Sequence, residues 1–153
     1  MKHFFKTLAI LMLVFTATTS CDDDDNKDSN IITFKATLNG ANEVQDPAVE
    51  TAAYGTATVT FNNTTKMFTL SGTFTNLGSD VIGAHIHGPA TTSENAAVIF
   101  PLVVTGTTSG TLSLSSTALD ATKEGELKAG SYYVNVHSET YDGGEIRGQL
   151  IKQ

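Results

Sequence analysis

The chain predicts an all-β fold, an antiparallel two-sheet β-sandwich with Greek-key connections, on three observations. From Ile31 onward apolar residues recur at every second position, the period of a half-buried strand. Clusters of Gly, Asn, Asp and Ser interrupt these runs at sandwich-like spacing. The composition favours Thr, Val, Ile and Phe, with 16% charged residues and no Trp, which suits pleated surfaces with one buried side. A closed barrel is the alternative architecture. The 153 residues suit one domain with a single core.

The N-terminal stretch is expected to stand outside that domain. Lys2 and Lys6 accompany an apolar run, 8–15, too short to span a bilayer. Thr18, Thr19 and Ser20 then lead to Cys21, the only cysteine, so no disulfide forms within the chain. Small residues before a lone cysteine resemble a lipoprotein signal, although Thr18 stands where that signal usually has Leu. The resemblance implies that 1–20 is a signal peptide and that Cys21 is lipidated, anchoring the chain to a membrane through its acyl chains. Residues 21–30 carry Asp22, Asp23, Asp24, Asp25 and Asp28. Such a run repels itself and has nothing to bury, so it reads as a solvated tether. A calcium site is the sharper reading, but the run lacks the rigid loop that sets selectivity. Acidic residues after a lipidated cysteine also resemble the surface-export signal of some Gram-negative lineages. An extracytoplasmic position at the outer membrane, extending to the cell surface, is the expectation.

The formal charge is −7. Without residues 1–20 it is −9, from 7 basic against 16 acidic residues. No basic patch is available to replace phosphate counterions, so nucleic acid is excluded as a partner.

Within the domain, 31–153, Ile32, Phe34, Ala36 and Leu38 alternate with polar residues until Asn39 and Gly40 stop the strand. Residues 43–47 read as an irregular edge because Pro47 has no amide to donate. Ala53, Gly55, Ala57, Val59 and Phe61 face one way, 62–66 turns, and Phe68, Leu70, Gly72 and Phe74 return. After 76–80 comes the strand 81–87, with Ile82, Ala84 and Ile86 on the core face. A polar loop precedes the apolar run 97–104, which Pro101 breaks or confines to an edge. Leu112 and Leu114 mark a further strand. Residues 116–130 predict a loop with one or two helical turns, anchored by Leu119 and Leu127 and weakened by Gly125. Tyr132, Val134 and Val136 face the core in the next strand, and Ile146 and Leu150 in the last.

The outward faces carry the chemistry. His85 and His87 share the back of one strand, since alternate side chains point the same way. A final hairpin centred near Tyr141 sets His137 opposite Glu145 and Asn135 opposite Arg147. Two readings follow. Either Asn135, Glu145, Arg147 and the imidazoles form a satisfied polar cluster on a binding or structural module, or His85, His87 and His137 hold one copper or zinc ion. In the second reading Glu145 supports an imidazole or serves as a fourth ligand. An enzyme is not expected: there is no Gly-x-Ser-x-Gly turn, phosphate-binding glycine loop or paired cysteine motif. Ser131 and Ser138 stand near His137 without an oriented base, and Asp142 reads as a turn residue. Tyr54, Tyr133 and Tyr141 have the rings to stack on sugars, so an unidentified protein or a glycan is the expected ligand of the first reading. Neither function leaves a catalytic residue to name.

Four ordered motifs carry a family resemblance: Phe34 to Gly40 with Asn42, Glu43 and Val44; Gly83 to Ala90 around His85 and His87; Tyr133 to His137; and Gly144 to Leu150. Together they resemble the CHRD domain, named after chordin, over 31–151. Gln45, Asp46 and Pro47 stand where the family has paired prolines. The resemblance implies an all-β extracytoplasmic module found in bacterial secreted proteins and lipoproteins, without an assigned biochemistry. A shorter likeness links His85, His87 and His137 to the copper side of copper–zinc superoxide dismutases, whose sandwich the fold distantly resembles. The bridging histidine, zinc ligands and disulfide of those enzymes are missing, so dismutation is not implied.

Overall fold

A computed structural model describes residues 30–153; the expected signal segment 1–20, Cys21 and nearly all of the expected tether 21–30 lie outside them. The described residues form ten strands and one short helix: β1 (Ile31–Asn39), β2 (Tyr54–Asn62), β3 (Phe68–Thr75), β4 (Val81–His87), β5 (Val98–Pro101), β6 (Val103–Gly106), β7 (Gly110–Ser115), α1 (Ala121–Lys128), β8 (Tyr133–Ser138), β9 (Ile146–Gln149) and β10 (Ile151–Lys152). A single 3-10 turn, Gly40–Asn42, follows β1. The helix begins at Asp120, whose carboxylate accepts the Lys123 amide at 2.9 Å, and Leu127 is its buried anchor.

All pairings are antiparallel, in the order β5-β4-β8-β9-β1-β2-β3-β7-β6. The expected antiparallel sandwich is therefore present, but its two layers belong to one hydrogen-bonded sheet. The ends of that series, β5 and β6, are consecutive in the chain. Leu102 sits between them and donates its amide to Ala84 O at 2.9 Å. Residues 98–106 thus pair with β4 through their first half and with β7 through their second. Pro101 marks the corner where the strand changes neighbour, which nearly closes the sheet into a barrel.

Alternation fills the interior. Phe34, Leu38, Val59, Phe61, Leu70, Phe74 and Leu112 from one side meet Ala84, Ile86, Val134, Val136, Ile146 and Leu150 from the other in one continuous cluster. The expected inward Ile82 is an exception: it is 56% exposed. A register shift between Val81 and Gly83 against β8 inserts an extra residue, so Val81 packs on the core instead.

The outward face of β4, β8 and β9 is not open to solvent. Tyr133, Asn135 and Arg147 are buried there, beneath chain segments 40–50 and 88–97. Gly88 permits this return of the chain at φ +155°; a side chain there would strike the Tyr132 ring and the Ser131 carbonyl. Among the described residues, no helix is long and apolar enough to cross a membrane. Phe61, fully buried between β1 and β3, tests the core: Phe61→Ala is expected to cost about 3–5 kcal/mol, read as a lower urea midpoint at unchanged slope.

Candidate metal centre on the covered sheet face

The strand pairing brings the three histidines together. Gly83 pairs with His137 and His85 with Asn135 across β4 and β8, so neighbouring imidazoles on one face converge. One ring nitrogen from each of His85, His87 and His137 lies within 4.8 Å of the others. The ring centroids stand 5.6 Å (His85–His87), 5.0 Å (His85–His137) and 5.9 Å (His87–His137) apart.

The hydrogen bonds assign the tautomers. His87 Nδ1 lies 3.0 Å from the Ala96 carbonyl and His137 Nδ1 lies 2.8 Å from the Asp142 carbonyl. A carbonyl only accepts, so both rings carry their proton on Nδ1 and present a lone pair at Nε2. The His137 lone pair accepts from His85 Nδ1–H at 3.1 Å. His87 Nε2 is buried and has no partner. Backbone carbonyls that fix the far nitrogen are the arrangement that orients imidazole ligands on metals.

Burial lowers the pKa of all three imidazoles below the usual 6.5, and each is lowered further by a neighbouring imidazole. Hydrogen bonds to Ala96 and Asp142 oppose this for His87 and His137 without reversing it. The cluster is therefore neutral near pH 7, the state in which imidazole binds metal.

The remaining expected residues fall in two places. Tyr133 stacks on His87 with ring planes 5° apart and centroids 4.9 Å apart. The Arg147 guanidinium lies over the other side of Tyr133, 3.5 Å from its centroid. The Ala96 peptide ties this stack together, since its N–H donates to Tyr133 Oη at 3.2 Å while its carbonyl accepts from His87. Asn135 pairs with Arg147 as expected, and its Nδ2 donates to Glu43 Oε1 at 2.8 Å. Glu145 does not reach the imidazoles. Regular pairing of β8 with β9 runs only to Val136–Ile146, and Gly144 at φ +127° ends the alternation. The Glu145 carboxylate turns instead to Thr51 Oγ1 (2.6 Å) and the Gly78 amide (2.8 Å), fully buried. It is neither a fourth ligand nor a support for His137.

Glu43 and the double role of Ala96 escaped the sequence reading. Glu43 belongs to a segment that reads as an irregular loop, and strand periodicity carries no information about what a loop folds over. Burial raises the Glu43 pKa from 4.5 to about 7, against the opposing charge of Arg147 and a hydrogen bond from Gln45. A side chain on Gly144 would overlap the Asn135 amide that holds this carboxyl.

Two opposite pH dependences follow. The imidazoles have folded pKa values below 6.5, so the unfolded chain binds protons first on acidification. Stability is expected to fall as pH drops below 6.5, and His87→Phe should reduce that fall in thermal unfolding between pH 7 and 5. Glu43 has a raised folded pKa, so its contribution is lost as pH climbs from 4.5 through about 7. Glu43→Gln, which keeps an acceptor for Asn135, is expected to gain a few degrees over wild type at pH 8 and little at pH 4.

Comparison with known proteins adds one match. Neither the curated proteins nor the solved structures contain a match to this chain. The family model described as CHRD domain matches residues 34–150, a span that takes in the whole sheet face just described. The chain belongs to the CHRD domain family.

Proposed function

We propose that this CHRD domain is a metal-binding module of the cell envelope that takes one copper or zinc ion on His85, His87 and His137. The observation that carries the reading is the buried, unpartnered Nε2 of His87, on an imidazole that joins two others with one ring nitrogen of each within 4.8 Å. Ligands about 2.0–2.1 Å from one ion stand ~3.3–3.6 Å apart in tetrahedral or trigonal geometry, so the rings would close by up to about 1.5 Å to hold it. Neutral imidazoles suit either metal, and three protein ligands leave a coordination position for water or a fourth group. The ion would supply Lewis-acid character and, if copper, one-electron chemistry. The residues themselves supply carbonyl-fixed tautomers at His87 and His137 and the Tyr133 stack that holds His87 in place, while metal binding would displace the proton that His85 shares with His137. We read the module as binding rather than catalytic, because the site pairs no nucleophile with a base.

The proposal includes the anchor. A signal segment at 1–20, lipid on Cys21 and the acidic tether would place the domain outside the cytoplasm, at the outer membrane. Cys21→Ser is expected to abolish incorporation of labelled palmitate and to move the chain from the membrane to the soluble fraction; unchanged partition would refute the anchor.

One observation favours a second reading, a polar cluster on a structural or binding module without metal. His85 and His137 satisfy each other through a 3.1 Å hydrogen bond. Metal analysis separates the two. Protein prepared metal-free and then given copper or zinc should retain one equivalent after dialysis, and should melt several degrees above the chelated form. His137→Ala should abolish both effects. Tyr133→Leu, which removes the stack behind His87, should weaken affinity about 10–100-fold. No uptake and no shift in melting would leave the structural reading.

A further inference from the structure

The end of the barrel where the chain enters from the tether carries an open groove. Asn63 donates its amide to Asn30 O at 2.7 Å, so the turn 62–66 lies against the first described residue. Beside that turn, a groove of about 370 Å³ is lined by Ile31, Met67 and Phe68, with Thr60, Thr69 and Ser115 around them. Phe68 is buried, whereas Met67 is 44% exposed and Ile31 half-buried. A single exposed methionine is ordinary on a protein surface. Here two open apolar side chains share one groove, at the point where the chain leaves for its anchor.

Charge and register single out the same end. Lys66 and Lys128 share the Glu124 carboxylate, and the Leu119 amide donates to Lys66 O at 2.9 Å, which joins α1 to the turn. Lys66, Lys123 and Lys128 therefore balance Asp120, Glu124 and Glu126 there, while the rest of 30–153 sets Lys35, Arg147 and Lys152 against eight carboxylates. Phospholipid phosphates repel carboxylates and attract ammonium groups, so this is the end that a lipid surface opposes least. The histidines lie toward the other end. Ile31 pairs with Asn62, whereas Asn39 pairs with Arg147, Arg147 with Asn135 and Asn135 with His85. Eight residues at ~3.3 Å apiece put about 26 Å of β1 between the two ends. Cys21 stands ten residues before Ile31, a span of at most ~36 Å, which keeps the domain near a membrane without fixing which way it turns.

We propose that this end of the barrel docks on the phospholipid surface to which Cys21 anchors the chain. Ile31 and Met67 enter the acyl region, the groove receives part of a lipid chain, and Lys66 and Lys128 meet phosphates. The docking rests on the anchor proposed above and goes beyond it, because it turns His85, His87 and His137 away from the membrane and toward solution.

The chain contains no Trp, so a single introduced indole reports its own depth. Thr64→Trp, at an exposed position of the turn outside the groove lining, marks the docking end. Thr92→Trp, in the exposed loop that Arg147 grips, marks the histidine end. Chain isolated with its own lipid is incorporated into vesicles of phosphatidylethanolamine and phosphatidylglycerol with brominated acyl chains. In parallel, unlipidated chain from Cys21 onward is coupled through the Cys21 thiol to a maleimide lipid in the same vesicles. Bromine quenches an indole only at close contact, so Thr64→Trp is expected to lose most of its emission in both preparations and Thr92→Trp none. Adding Met67→Asp to Thr64→Trp, or Ser115→Asp at another exposed residue of the groove, should restore the emission with the unfolding temperature unchanged. Isolated chain that fails to float with the vesicles, beside coupled chain that is quenched, refutes the anchor and upholds the docking surface. No quenching of the coupled chain, equal quenching at both positions, or quenching that survives Met67→Asp and Ser115→Asp overturns the proposal.

Discussion

The buried guanidinium of Arg147 holds the outer face of this sheet in order. It grips residues 91–95 through three hydrogen bonds and presses on Tyr133, which presses on His87. A desolvated cation–ring contact contributes on the order of 2 kcal/mol, and a ring stack about 0.5–1.5 kcal/mol. Those gains, with the nearby Glu43 carboxyl, offset the cost of desolvating the guanidinium. Residues 91–95 in turn place Ala96, whose carbonyl fixes the His87 tautomer. The orientation of a nitrogen in the centre is therefore set by a charge two layers away.

The barrel supplies the platform. Strands β4 and β8 are neighbours only because the chain crosses from β3 to β4 and from β7 to β8 instead of continuing to the adjacent position. These crossings bring His85 and His87 beside His137, far apart in sequence. The inner side of the same strands carries Ala84, Ile86, Val134 and Val136. A register slip by one residue would exchange that apolar set for imidazoles, so core packing and the geometry of the site are enforced together.

Period-two alternation made most of this legible. It put His85 and His87 on one face, set Asn135 opposite Arg147, and separated inward from outward residues along nearly every strand. It failed where the chain departs from the regular pleat. The bulge at Ile82 exchanges inside for outside with no glycine or proline at that residue. Gly144 diverts Glu145 from the histidines, and the sequence shows a glycine there without its φ. The larger omission was the covering of the outer face. Alternation labels Tyr133 and Arg147 as solvent-facing, because it describes a strand and not the loops that fold across it. Glu43 and Ala96 belong to those loops, and their partners are set by tertiary contacts alone.

The corner at Leu102 has a consequence for life among many copies of the same molecule. A sheet ending in two long free strands would offer each neighbour a template for strand addition. Here both ends of the series are halves of one turning segment, four residues each, and the corner amide is already bonded to Ala84. Neighbouring chains find only two four-residue edges at that seam, interrupted by the corner, which is little backbone on which to add a strand.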